Sequence, residues 1–154
     1  MNQDLAGRLR EVLLDGRWVA NTNIKEQITQ TNWQEAIQRV GRLNTVAMLT
    51  YHVSYYLDGL NQVFEGGELE IKDKFSFDMP EITSEADWKT MVNNFIGISE
   101  KFVNHVGKMD ADRLNQTFVK EAYGSYLRNI EAQIEHAYYH LGQMTLIRKL
   151  IADL

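Results

Sequence analysis

The chain has 154 residues, 44% of them hydrophobic, carries a formal net charge of -5 and contains no cysteine. That is enough chain to bury one core without covalent staples, so a single domain over residues 1–154 is expected. The missing thiol excludes disulfides, thiolate metal ligands, a CxxC redox pair and a cysteine nucleophile together, leaving nitrogen and oxygen to hold any metal. Lysines and arginines are scattered rather than clustered, which argues against a nucleic-acid partner. Asp4, Arg8, Arg10 and Glu11 interrupt the first apolar stretch, and no run approaches the ~20 apolar residues of a membrane span. The expectation is a cytoplasmic protein with no membrane partner. A single proline and the lack of repeats or low-complexity tracts describe an ordered helical domain.

Leu5, Leu9, Val12 and Leu13 recur at helical spacing before Asp15-Gly16, which predicts a first helix over 3–15. Arg17-Trp18-Val19 then leads into two short polar turns, over 24–29 and 33–40, with Asn32 capping the second. Both are expected to lie across an end of the bundle. Asn44-Thr45 caps the next helix, whose stripe runs through Val46, Leu49, Val53, Tyr56, Leu57, Leu60 and Phe64 until Gly66-Gly67 ends it. Projected at ~100° per residue, Asp58 and Glu65 fall opposite that stripe. His52 falls on its flank beside Met48, Tyr56 and Gly59, facing the interior or its margin.

Residues 66–83 read as a connection. Leu69, Ile71, Phe75 and Phe77 alternate with polar residues, Met79-Pro80 breaks any helix, and there is room for a short extended piece. Ser84-Glu85-Ala86-Asp87 resembles a capping box and opens a helix bearing Trp88, Met91, Val92, Phe95, Ser99, Phe102 and Val106 on one face, with Gly107 ending it. After a short turn within 110–123, Gly124-Ser125 caps the last and longest helix, over 126–152. There Arg128, Glu131, Glu135, Lys149 and Asp153 crowd into one arc, so the helix is expected to be central in the bundle, with His136 and His140 pointing inward.

Two of the four histidines therefore sit one helical turn apart, in His136-Ala137-Tyr138-Tyr139-His140. Side chains at i and i+4 stack on one face, roughly 5–6 Å apart at Cβ, which lets two imidazoles converge on one ion at about 2.1 Å. The third ligand must come from another helix, and His52 is the candidate, being embedded in a strongly apolar segment. Three neutral imidazoles leave coordination positions open, as in a catalytic site. The HxxxH spacing alone also suits a hydrogen-bonded histidine pair, and His52 alone suits a core-margin histidine bonded to a carbonyl or tyrosine. Burial favours the metal, because packed imidazoles need partners for their ring nitrogens. No glutamate lies between the pair, so this is not the HExxH of a zinc protease, and a di-iron bundle would need Glu-x-x-His on two helices. His105 reads as a helix-end histidine favoured by the dipole, with a fourth metal ligand as the alternative, since it projects near Ile98 and periodicity does not exclude it. Gln143 is either a partner that orients a ring nitrogen or a helix-packing residue. Tyr51, Tyr55, Tyr56, Tyr138 and Tyr139 are read chiefly as core or interface, with a pocket hydroxyl as the alternative.

A histidine in the second long helix, here His52, followed by a last helix carrying His136, His140, Leu141, Gly142 and Gln143 as HxxxHLGQ, resembles the DinB-like (DinB/YfiT) superfamily of metalloenzymes. The likeness extends to Trp33-Gln34-Glu35-Ala36, Asn44-Thr45 and Asp87-Trp88, although only the histidine pattern is specific. The resemblance implies an all-α four-helix bundle with a long connection between the second and third helices and an unusual connection order. It also implies a divalent metal held by His52, His136 and His140, and often a homodimer. Characterised relatives include enzymes that transfer or rearrange groups with low-molecular-weight thiols such as bacillithiol or mycothiol.

The leading expectation is therefore a metal-dependent transferase that holds a small thiol against an electrophilic small-molecule substrate. The alternatives are a metal-dependent hydrolase, a non-catalytic bundle with a structural or dimer-stabilising ion, and a bundle with no metal. Imidazole ligands suit Zn, Ni, Mn and Fe alike, so the ion's identity stays open.

Overall fold

The computed structural model describes residues 2–154. It is all-helical, with seven α-helices and no strand among the described residues. These are α1 (Asn2–Leu13), α2 (Ile24–Thr29), α3 (Trp33–Ile37), α4 (Val46–Phe64), α5 (Glu85–Lys108), α6 (Ala111–Asn115) and α7 (Tyr126–Ala152). The four long helices pack side by side as a ring, α1 on α5, α5 on α4, α4 on α7 and α7 on α1. Among the described residues no helix is long and apolar enough to cross a membrane.

Cross-helix contacts fix the directions. Arg10 reaches Glu100 at 2.8 Å while the Gln3 side chain reaches the Gly107 carbonyl at 3.1 Å, so α1 and α5 are antiparallel. Asn61 donates to the Ile98 carbonyl at 3.2 Å and Glu65 meets Lys101 at 3.0 Å, so α4 and α5 run parallel. His52 lies by His136 and Phe64 by Tyr126, which makes α4 and α7 antiparallel. Two consecutive parallel helices need a crossover as long as the helices themselves, and this is the task of residues 65–84.

The helix starts are set by side-chain caps. Thr45 accepts from the Met48 amide, Ser84 from Asp87 and Ser125 from Arg128, and Asn32 forms a full capping box with Glu35; each such cap stabilises by about 1 kcal/mol. At the other end of α4, Gly66 takes φ +95°, and the Gly67 amide bonds back to the Gln62 carbonyl at 2.8 Å. This closes the helix with a residue that bears no Cβ penalty at positive φ. Trp88, Phe95, Phe102, Leu9, Leu49 and Ile130 fill the centre and are almost completely buried; each large apolar side chain buried contributes roughly 1.5–3 kcal/mol.

The short helices α2 and α3 close the end where α4 and α5 begin, whereas α6 lies at the other end, where Arg113 donates to the Phe64 carbonyl at 3.1 Å. The Trp88 indole donates to the Thr31 carbonyl at 2.8 Å, and Arg148 near the end of α7 donates to Gln27 at 2.6 Å. The end-covering role expected of residues 24–40 is thus met.

Several boundaries and one environment differ from the sequence expectation. The first helix stops at Leu13, not 15, and the second short helix ends at Ile37, because Gln38 is already extended. Gly107 does not end its helix: α5 runs on to Lys108, where Asn2 and Gln3 supply side-chain donors to the Gly107 carbonyl. The room for an extended piece within 66–83 is taken by a 3-10 turn, Asp73–Phe75. The last helix is not central. It packs through Ile130, Ile134, Ala137, Leu141, Met144 and Ile147, while Tyr139 and Leu146 are 66% and 55% exposed. Its apolar count exceeds its buried face.

Candidate metal centre

His52 sits in the middle of α4, and His136 and His140 occupy successive turns of α7 on the face turned toward it. The antiparallel packing of these two helices brings the rings together. His136 Nε2 lies 3.1 Å from His52 Nε2 and 3.0 Å from His140 Nε2. One ring nitrogen from each histidine lies within 4.8 Å of the other two. Three nitrogens that share one ion at about 2.1 Å stand roughly 3.0–3.4 Å apart, so two of the three separations already match a common ligand sphere.

The outward nitrogens decide what the inward ones carry. His52 Nδ1 lies 3.3 Å from the Ser76 carbonyl, which can only accept, so Nδ1 holds the ring proton. His140 Nδ1 donates in the same way to Gln143 Oε1 at 2.7 Å. In neutral rings both Nε2 atoms are then bare lone pairs, and both face His136 Nε2. That atom has at most one hydrogen and can point it squarely at only one neighbour. An added proton is opposed by the surroundings. Burial, then the neighbouring imidazoles, lower the His136 pKa from 6.5 to about 4, and burial also lowers His52 and His140. A cation among the three lone pairs satisfies all of them at once, so the residues present fit a divalent ion.

Most of the remaining wall is aromatic. Phe77 stacks on His52 with ring centroids 4.1 Å apart and planes 5° apart, and the Tyr56 ring meets His52 and His136 edge-on at 5.2 and 5.3 Å. The Tyr56 hydroxyl donates to Asp73 Oδ1 at 2.7 Å. Tyr139 stands edge-on to His140 at 5.0 Å and is largely in solvent. His52 and His140 are buried and His136 is only partly so, which leaves the cluster reachable from outside.

The connection between α4 and α5 works as a strap over this face. Ile71 lies directly on Gly59, where an added Cβ would come 2.5 Å from Ile71 Cγ2. Tyr55 Oη accepts from the Lys72 amide at 2.8 Å and donates to the Lys72 carbonyl at 2.9 Å, pinning the strap one residue later. Ser76 and Phe77 follow, and reach His52.

His52, His136 and His140, the three residues expected from the sequence, are thus the three that the fold assembles. His105 is elsewhere, in the last turn of α5, with its Nε2 3.1 Å from Glu65 Oε1. Gln143 bonds a ring nitrogen, the first of its two readings. Asp73, Ser76 and Phe77 were not foreseen as parts of the site; the only trace of them was the alternation of apolar residues along 69–77. No protein-family model matches the chain, and no curated protein does either.

Proposed function

We propose that this chain is a DinB-like metal-binding bundle and acts as a metal-dependent transferase with a low-molecular-weight thiol. The observation that carries the metal is the convergence of three Nε2 atoms, two of them turned inward as lone pairs by the Ser76 and Gln143 acceptors. A divalent ion bound there supplies positive charge that lowers the pKa of a thiol at the site and favours its thiolate.

The chain's own residues perform the remaining tasks. His52, His136 and His140 are neutral donors, so they cancel none of the ion's charge. Ser76 and Gln143 fix the orientation of two of the rings. Phe77 and Tyr56 exclude water from one side, while partly exposed His136 leaves an approach for substrate. The likeness of His52 and the HxxxHLGQ segment to thiol-using relatives supports the thiol as co-substrate, and those relatives' frequent pairing supports a homodimer.

The test follows consumption of a chromogenic aryl halide by the untagged protein with a panel of small thiols, before and after chelation. Turnover that needs both thiol and metal, and returns when a divalent ion is restored, is the expected result. Turnover without thiol points to hydrolysis instead, and turnover that survives complete metal removal overturns the metal-dependent reading.

A further inference from the structure

A cavity of about 470 Å³ lies between α4 and α5 on another side of the strap, and none of the three histidines lines it. At about 100° per residue, Tyr51, Tyr55 and Asp58 share a face of α4 that lies roughly a quarter turn from His52. The volume falls within the roughly 300–1,000 Å³ of small-molecule sites.

The lining has a distinct chemistry. Ile71, Ile82, Met91 and Ile98 give it apolar walls, and the Tyr51 and Tyr55 rings stand side by side with centroids 6.1 Å apart. Tyr55 is held rigidly through its two bonds to the Lys72 backbone. The charged lining residues are Asp58, Glu81 and Asp87, and no lysine, arginine or histidine lines the cavity. Asp87 is kept ionised by donors from the Thr83 amide and hydroxyl at 2.9 and 3.1 Å, which lower its pKa. Asp58 receives only a long contact from Gln62 at 3.4 Å. Among the described residues, neither Asp58 nor Glu81 has a salt-bridge partner.

We propose that this cavity is a second site, independent of the histidines, for a small organic cation with an apolar body: a protonated amine or a quaternary ammonium. The isoleucines and methionine desolvate the body, tyrosine faces attract the cationic head through their quadrupoles, and the carboxylates supply the opposite charge. A hydrated metal ion would leave the apolar wall unused. An anion would face three carboxylates, and a neutral ligand gains only apolar burial.

Three probes with one shared ring separate these cases: benzyltrimethylammonium, benzyl alcohol and benzenesulfonate, each titrated into the protein and followed by amide chemical shifts. The ammonium is expected to give saturable shifts at Ile82, Thr90, Met91 and Asn94, with the alcohol weaker and the sulfonate weakest. Asp58→Asn and, separately, Glu81→Gln should each weaken the ammonium about three-fold. Asn94→Trp, placed on an exposed position of the rim, should abolish its binding; Thr90→Trp takes its place if that variant does not fold. Chelator-treated protein should bind the ammonium unchanged, which separates this site from the proposed metal chemistry. Equal affinity for the three probes, shifts scattered away from the cavity, loss of binding on chelation, or no saturable binding would each overturn the proposal.

Discussion

Replacing Gly59 by alanine probes how the strap is seated on α4. The new Cβ would lie 2.5, 2.7 and 2.9 Å from Ile71 Cγ2, Cδ1 and Cγ1, whereas carbon atoms rest about 3.5–4.0 Å apart. Ile71 must therefore retreat by roughly 1 Å, yet Lys72 beside it is tied to the Tyr55 hydroxyl through both its backbone groups. Two opposed effects set the result. Alanine in a helix interior gains about 0.8–1.0 kcal/mol over glycine, and an overpacked contact costs about 1–3 kcal/mol. The clash should win, leaving Gly59→Ala destabilised by up to about 2 kcal/mol.

Gly97 gives the control, because a Cβ there meets nothing within 4 Å. Gly97→Ala should stabilise by close to 1 kcal/mol, which for a chain of this size raises Tm by about 2–4 °C. Urea unfolding followed by circular dichroism measures both variants. In an Ile71→Ala background the clash is gone, so Gly59→Ala should there become stabilising. If Gly59→Ala alone stabilises as much as Gly97→Ala does, the strap is not seated on α4 as described.

Two further outcomes follow from the site. Burial brings the His136 pKa down from 6.5 to about 4 in the folded chain; well above pH 6.5 the ring is neutral in both folded and unfolded states and contributes no pH dependence. As pH falls through 6.5 the unfolded chain takes up the proton first, at a slope of at most about 1.4 kcal/mol per unit, so chelator-treated protein should lose stability toward pH 4, by less than the roughly 3 kcal/mol of an unscreened ring because His136 is partly exposed. The downward shifts of His52 and His140 act in the same direction. Urea midpoints measured from neutral pH downward should show this loss, and His136→Gln should reduce it; a flat wild-type profile contradicts the burial argument. Gln143→Leu removes the acceptor of the His140 Nδ1 proton and should weaken metal binding about 10–100-fold in competition with a chelating dye, with little change in Tm.

The four long helices were legible because each repeats its apolar residues at helical period, and three of them, α4, α5 and α7, begin at a hydroxyl cap. The histidine cluster was legible for a related reason. The i, i+4 spacing fixes His136 and His140 on one face, and the apolar segment around His52 turns that residue inward. The strap was not. Ser76 contributes a backbone carbonyl, which any residue could supply, and Phe77 reaches His52 only because the connection turns back along α4, a tertiary fact with no local period. The misplaced centrality of α7 has a different origin. Tyr139 and Leu146 are apolar by composition, but ring packing gives a helix only two long neighbours, here α1 and α4, and leaves the rest of its surface to solvent. An exposed apolar residue is ordinary and does not by itself signal burial.

The metal content of untagged protein tests the central claim most directly, measured by elemental mass spectrometry for wild type, His52→Ala, His136→Ala, His140→Ala and His105→Ala. His105 is the internal control, since it faces Glu65 and stands outside the cluster. The wild type should hold close to one divalent ion per chain, each of the first three variants should lose it, and His105→Ala should keep it. No bound ion even when divalent metals are supplied, or an ion that survives in any of the three cluster variants, would contradict the account.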